Sequence, residues 1–284
     1  DMQDEMVAAG ESGVAGDVST GDSGLTSTSF SSILWNAVDQ MLFALKADKA
    51  ADEAIEAWKK GEVPILAVDN TMESILDEYV KENNLKVGDV VNLGFKDILH
   101  RYLERSRWIT VDTGQRDARN KKITRKERLT DDQLNVETEL GNALAMFNEA
   151  AAKIASTDVN APASPIDWLR HRMQKAGMKI AEITGRKTML IYTDNGIATL
   201  GARPKAEQGT RGKQETIRRI NDGSLDGLLL NRSGATGVSV HASEKFKNQK
   251  VRHMIIVQSA KNIDEFMQML GRINRTGQGV LPRY

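Results

Sequence analysis

Three short apolar runs constrain this chain more than any other feature: Val63-Pro64-Ile65-Leu66-Ala67-Val68, Gly227-Leu228-Leu229-Leu230-Asn231 and Val251 to Val257. None alternates polar with apolar residues, so each predicts a strand buried on both faces, and strands of that kind belong to parallel sheets covered by helices. The segments between them support this. Ile33, Leu34, Val38, Met41, Leu42, Leu45 and Ile55 recur at helical spacing between Phe30 and Lys60, predicting one or two amphipathic helices that end at Gly61. Further helices are expected over about Gly94 to Arg105, from Thr130 to roughly Ala155, from Ser164 to about Ala176 and from Gln214 to Asn221, with a strand over Met178 to Thr184. Asp194-Asn195-Gly196, set between Thr188–Thr193 and Ile197–Leu200, predicts a hairpin. Helix and strand in alternation give an α/β fold with a parallel sheet flanked by helices.

The organisation expected is a flexible linker or tail over 1–29, rich in Gly, Ser, Thr and Asp, then one lobe over 30–284 with a mostly helical insertion at about 85–160. Gly114 to Arg128 is basic and polar, and reads as a loop or as an insertion facing nucleic acid. Pro204 to Lys213 reads as polar and mobile. Asn70 or Thr71 is expected to cap the helix that has Glu73 in its first turn.

Composition narrows the chemistry. The absence of cysteine among the 284 residues excludes disulfides and thiolate metal sites, and His100, His171, His241 and His253 show no metal-ligand spacing, so no metal site is expected. No apolar run approaches the 18 residues of a membrane span, and no secretory leader is visible, so an intracellular protein without a membrane partner is expected. The net charge of zero conceals an asymmetry: residues 1–60 hold 11 acidic and 4 basic side chains, whereas from Arg186 onward there are 17 basic against 8 acidic. A basic C-terminal half suits a polyanion, either nucleotide or nucleic acid.

Two constellations bear on that partner. Gln268-Met269-Leu270-Gly271-Arg272-Ile273-Asn274-Arg275-Thr276-Gly277-Gln278 spells Q-x-x-G-R-x-x-R-x-G-Q, expected on a helix running into a loop, with Arg272, Arg275 and Gln268 on one face. Paired guanidinium groups suit a phosphoryl group in transfer. Directly after the strand Gly227–Leu230 comes Asn231-Arg232-Ser233-Gly234-Ala235-Thr236-Gly237, whose glycines and hydroxyls let backbone approach an anion at the carboxyl end of a strand. A nucleotide cradle is missing. No G-x-x-x-x-G-K-[ST] occurs, and Gly185-Arg186-Lys187-Thr188 and Gly212-Lys213-Gln214 do not supply one.

The order of strand, S-G-A-T-G loop, strand and Q-x-x-G-R-x-x-R-x-G-Q resembles motifs V and VI in the second RecA-like lobe of superfamily-two helicases. Asp69-Asn70-Thr71-Met72-Glu73-Ser74, Ser164-Pro165-Ile166-Asp167-Trp168-Leu169 and Glu182-Ile183-Thr184-Gly185-Arg186 resemble the strawberry notch family in particular, including its bacterial and phage members. The resemblance implies a RecA-like P-loop NTPase fold and ATP with Mg2+ held mainly by a first lobe absent from these residues and present in cis or in trans. It implies Arg275 as arginine finger, Arg272 as its support, Gln268 as a positioning residue and Gly271 beside the nucleotide. Ser233, Gly234, Thr236 and Gly237, with Asn70 and Thr71, would face DNA or RNA. The cell compartment implied is the cytoplasm of a bacterium or phage-infected cell, or the nucleus of a eukaryote. By itself the chain is expected to hydrolyse no ATP. Two alternatives remain: a non-catalytic nucleic-acid-binding or scaffolding protein built on such a lobe, and a small-molecule phosphotransferase, for which no phosphate loop is visible.

Overall fold

The computed structural model describes residues 25–26, 30–139, 141–156, 161–231, 237–260 and 262–284. In chain order the main elements are helix α1 (Phe30–Lys59), strand β1 (Val63–Val68), α2 (Glu73–Glu82), α3 (Phe95–Arg105), β2 (Trp108–Arg116), β3 (Lys122–Arg128) and α4 (Ala143–Ser156). They continue with α5 (Pro165–Lys175), β4 (Ile180–Ile183), β5 (Thr188–Tyr192), β6 (Ala198–Ala202), α6 (Gly209–Asp222), β7 (Gly227–Asn231), β8 (Arg252–Ile256) and α7 (Ile263–Leu270). The chain divides into two compact units, one of residues up to 39 with 94–160, the other of 40–93 with 161–284.

The larger unit is built on a four-stranded sheet in the order β8-β1-β7-β4, with every pairing parallel. β1, β4 and β7 are buried along their whole length, as the apolar runs of β1 and β7 require, with Glu182 the one charged residue within β4. One face of the sheet packs Leu66, Val68, Ile180, Leu229 and Ile255 against Phe43, Ala47, Ala50, Ala51 and Ala54 of α1 and Ile166, Leu169 and Met173 of α5. The alanine stripe lets α1 lie close to the strands. On the other face Ile65, Ala67, Ala181, Ile183, Leu228, Leu230 and Met254 pack against Ile220 of α6, Met269 of α7, and Val238, Val240 and Ile273. Strands covered on both faces by helices make the α/β, RecA-like architecture expected. The hairpin β5–β6 forms a separate antiparallel pair.

Beneath one end of the sheet lies a buried ionic network. Arg186, 2% exposed, donates to both carboxylate oxygens of Asp167 (2.8 and 2.5 Å) and both of Glu182 (2.7 Å each). Arg170 forks onto Glu207 (3.0 and 2.6 Å), and Arg203 donates to the carbonyls of Glu182, Thr184, Arg186 and Glu207. Burial pushes the Glu182 carboxyl up, but the charge and hydrogen bonds of Arg186, with Arg203, bring it down to about 2. The E-I-T-G-R and S-P-I-D-W segments therefore act in the interior, fastening α5 to β4 and β5.

The smaller unit contains a cluster of Ile109, Leu129, Leu134 and Phe147, with Leu103, Val111 and Leu144 packed against it. Three expectations are corrected. Gly114–Arg128 is no loop: β2 and β3 form an antiparallel ribbon, extended by Leu25–Thr26 alongside β2. Thr130 caps only the single turn Asp131–Leu134, because Asn135 leaves helical geometry and Gly141 adopts φ +120°; α4 starts afresh at Ala143. In the larger unit, Pro204–Lys213 is ordered as a short 3-10 turn at Lys205–Glu207 followed by the first turn of α6, because Glu207 is drawn inward by Arg170.

Candidate functional site

The loops at the carboxyl ends of the parallel strands carry the site. After β1, Gln258 from the loop beyond β8 accepts hydrogen bonds from the amides of Asp69 (3.1 Å) and Asn70 (3.2 Å). The Asn70 side chain accepts from the Met72 amide at 2.9 Å, and Met72 takes left-handed φ +57° as the N-cap of α2 without a side-chain cap. Asn70 and Thr71 thus do not cap the helix; Asn70 closes a local turn one step ahead of it, and both residues are half-buried. Buried Gln40 lies behind, its Nε2 3.5 Å from the Asn70 carbonyl and its Oε1 without a hydrogen-bond partner.

Beyond β7, Ser233, Gly234 and Thr236 lie outside the described residues. Gly237 is exposed at φ +72°, a conformation that a side chain would strain. From there Val238 and Val240 turn into the core, and this strip is stitched to the arginine segment. The Val240 amide donates to the Arg272 carbonyl (3.0 Å), Arg272 Nη1 donates to the Val238 carbonyl (3.3 Å), and the Gly279 amide donates to the Ala242 carbonyl (2.8 Å). Underneath, Arg252 is 1% exposed and donates to the carbonyls of Val240 (2.9 Å), Lys250 (2.8 Å) and Asn248 (3.1 Å); burial lowers it to about 10.

The arginines are not on a continuous helix. α7 ends at Leu270, Gly271 is its C-cap, and the chain tightens into a turn in which the amides of Arg272 and Ile273 reach the carbonyls of Met269 (3.1 Å) and Leu270 (3.3 Å). Buried Ile273 pulls the backbone under the sheet. The three predicted groups consequently differ in setting: Gln268 is exposed on α7, Arg272 is half-buried and Arg275 is exposed. Arg275 is held by its Nε to the Gly271 carbonyl (3.2 Å), while its amide donates to the Gln278 side chain (2.9 Å). Gly277, at φ +82°, makes that return turn possible.

Electrostatics binds these groups together. Burial and the neighbouring Arg275 charge lower Arg272, and Arg272 Nε is buried without a hydrogen-bond partner. Burial and Arg272 lower Lys213, near the start of α6. His241, its Nδ1 2.7 Å from Ser239 Oγ, is lowered by burial and by Arg275 and Arg252. Lys213, Arg272 and Arg275 therefore lie near one another, with His241 beside Arg275: the charge of Arg272 acts on Lys213, and that of Arg275 on Arg272 and His241. Lys213 and His241 escaped the sequence reading because only tertiary packing brings them beside the arginines. Among the described residues, no group of three or more His, Asp or Glu could hold a metal ion, and no helix is long and apolar enough to cross a membrane.

Comparison with known proteins agrees with this geometry. Residues 164–284 match a helicase C-terminal family described as the C-terminal domain on Strawberry notch homologue. Protein FORGETTER 1 of Arabidopsis thaliana is 28% identical over 134 residues, covering 44% of this chain and 10% of that protein. Protein strawberry notch of Drosophila melanogaster is 25% identical over 143 residues, 50% of this chain and 9% of the relative. Protein strawberry notch homolog 2 of Mus musculus is 26% identical over 136 residues, 47% and 10% respectively. The chain spans about a tenth of the length of these relatives. No solved structure matches. These matches support a helicase C-terminal lobe of the strawberry notch type over residues 164–284. That stretch supplies three strands of the parallel sheet, while the inner strand β1 comes from before the matched segment.

Proposed function

We propose that this chain is the second lobe of an ATP-dependent nucleic-acid helicase or translocase, delivering Arg275 to the γ-phosphate of ATP held by a first lobe in cis or in trans. The observation that supports this reading best is the clustering of Lys213, Arg272 and Arg275, with His241 beside them, close enough for each charge to act on its neighbour. A triphosphate fits the donors present: exposed Arg275 can follow the transferring phosphoryl group, and half-buried Arg272, with its unpartnered Nε, keeps a donor in reserve. The phosphate loop and magnesium ligands belong to the first lobe, since the 284 residues contain no G-x-x-x-x-G-K-[ST]. When bound, the nucleotide would draw the two lobes together and supply the phosphoryl group that passes to water.

In this reading Arg275 stabilises charge spreading over the γ-phosphoryl oxygens, Arg272 orients Arg275 and holds the Val238–Val240 strip, and Gln268 joins the network between lobes. Because that strip leads directly out of the Ser233–Gly237 loop, a shift of Arg272 is conveyed to the segment that, with Asn70 and Thr71, would follow a DNA or RNA backbone. The test is ATP turnover by the protein that carries both lobes. Arg275→Ala is expected to lower kcat by about 10³-fold or more, with the thermal transition unchanged. Turnover within tenfold of wild type would remove Arg275 from the reaction.

A further inference from the structure

The ribbon of β2 and β3 has two chemically different faces. In an antiparallel pair, directly opposed residues share a face and neighbours along a strand alternate. Ile109 opposite Glu127, and Val111 opposite Arg125, point to the face that packs on Leu129, Leu134 and Phe147. The other face therefore turns outward. It carries Trp108 opposite Arg128, Thr110 opposite Lys126 and Asp112 opposite Thr124, and, past the register shift, Arg116 opposite Lys122. Lys122 Nζ lies 3.1 Å from Asp112 Oδ2, which confirms that both share this face.

Three basic side chains of β3, Lys122, Lys126 and Arg128, thus follow one face over roughly 20 Å at strand spacing, with Arg116 of β2 opposite Lys122, two threonine hydroxyls between them and an indole that is 43% exposed at the end; Arg128 also pairs with Glu104 at 2.8 Å. Residues 108–128 hold seven basic and three acidic side chains, and two of the three acids are engaged elsewhere. The Asp117 carboxylate accepts the backbone amides of Arg119 (2.8 Å) and Lys121 (2.9 Å), and Glu127 pairs with Arg125 on the opposite face. From Thr113 to Lys126 every residue is exposed.

We infer that the outward face of this ribbon binds single-stranded nucleic acid, with Arg116, Lys122, Lys126 and Arg128 along the phosphates and Trp108 stacked on an unpaired base. Basic side chains tracking a backbone beside an exposed aromatic ring are the chemistry that single strands require. In a duplex the bases are already stacked and give the indole no partner. The proposal shares with the functional reading its nucleic-acid partner, but uses none of the residues assigned above.

The test is fluorescence anisotropy of the full 284-residue chain with a labelled 20-nucleotide oligothymidylate and with a duplex of equal length, titrated over 50–300 mM salt, each variant first checked by its melting curve. Lys122→Gln with Lys126→Gln is expected to reduce the slope of log affinity against log salt by about 1.4, at about 0.7 per phosphate contact for a single strand. Arg125→Gln, on the inner face, is expected to leave the slope unchanged. Trp108→Ala should weaken binding about 5- to 150-fold, and Trp108→Phe should restore most of it. An unchanged slope in the double variant, an equal loss in Arg125→Gln, or tighter duplex binding with Trp108→Ala silent overturns the ribbon assignment while leaving the nucleic-acid reading of the lobe in place. A wild-type chain that binds neither oligonucleotide overturns both.

Discussion

Arg186→Met tests whether the buried network, and not the arginine patch, is what makes the E-I-T-G-R segment indispensable. The methionine fills a similar volume but removes four hydrogen bonds to Asp167 and Glu182, two carboxylates that are essentially fully buried. Breaking a buried pair from one side costs about 3–5 kcal/mol. Asp167 keeps the Ser164 hydroxyl (2.6 Å) and the Leu190 amide (2.7 Å), and Glu182 keeps Thr184 and the Arg203 charge, so the loss should fall within that range and not double it. At ~2–4 °C per kcal/mol for a unit of this size, the melting temperature should drop by ~6–20 °C. The pH dependence gives the sign. In the native protein Glu182 titrates near 2, below its ordinary 4.5, so its contribution to stability is complete above pH 4.5 and fades as pH falls towards 2. In the variant, burial acts on Glu182 without Arg186, and the carboxyl takes up a proton at higher pH. The deficit measured by circular-dichroism melting should be largest near pH 7 and shrink towards pH 4.5. A deficit below about 1 kcal/mol at pH 7, or one that widens as pH falls, would refute the reasoning.

Three other outcomes are expected. Gly212→Ala should destabilise by ~1–3 kcal/mol in urea unfolding, because its Cβ would sit 2.7 Å from the Glu207 carbonyl carbon and 2.8 Å from the Ala206 oxygen; helix propensity alone predicts a gain of about 1 kcal/mol. Arg252→Met should lower stability by ~2 kcal/mol or more in the same assay, since the carbonyls of Val240 and Asn248 lose a donor in buried hydrogen bonds at ~1–3 kcal/mol each. A proton-NMR titration should place His241 below the ordinary 6.5, and Arg275→Gln should raise its midpoint; an unmoved midpoint means that Arg275 does not face the imidazole.

The parallel sheet was legible because its strands are short and mainly apolar: β1, β7 and β8 fall where Val63–Val68, Gly227–Asn231 and Val251–Val257 predict them, although β8 opens on Arg252 and His253. The hairpin at Asp194-Asn195-Gly196 was equally plain, since its turn residues announce themselves. The ribbon was not. Ile109, Val111, Ile123 and Thr124 carry the β signal, but the dense charge around them suggested a loop, and pairing across the Asp117–Lys121 turn does not show in local composition. The network of Asp167, Glu182, Arg186, Arg203 and Glu207 was invisible for a different reason. Its partners lie up to 40 residues apart, and charged residues in a sequence look exposed until the fold buries them. The geometry of the arginine motif was not legible: the helix that its i, i+3 spacing suggested ends at Leu270, and Ile273 turns into the core.

The role proposed for Arg275 is to meet charge that develops during phosphoryl transfer. The most direct measurement is the affinity of the two-lobe protein for ADP with aluminium fluoride, a mimic of the transferring phosphoryl group, compared with its affinity for a non-hydrolysable ATP analogue, in wild type and Arg275→Ala. The variant is expected to lose about 10³-fold in affinity for the transition-state mimic and less than tenfold for the ground-state analogue. Equal losses for both ligands, or no loss for either, would contradict it.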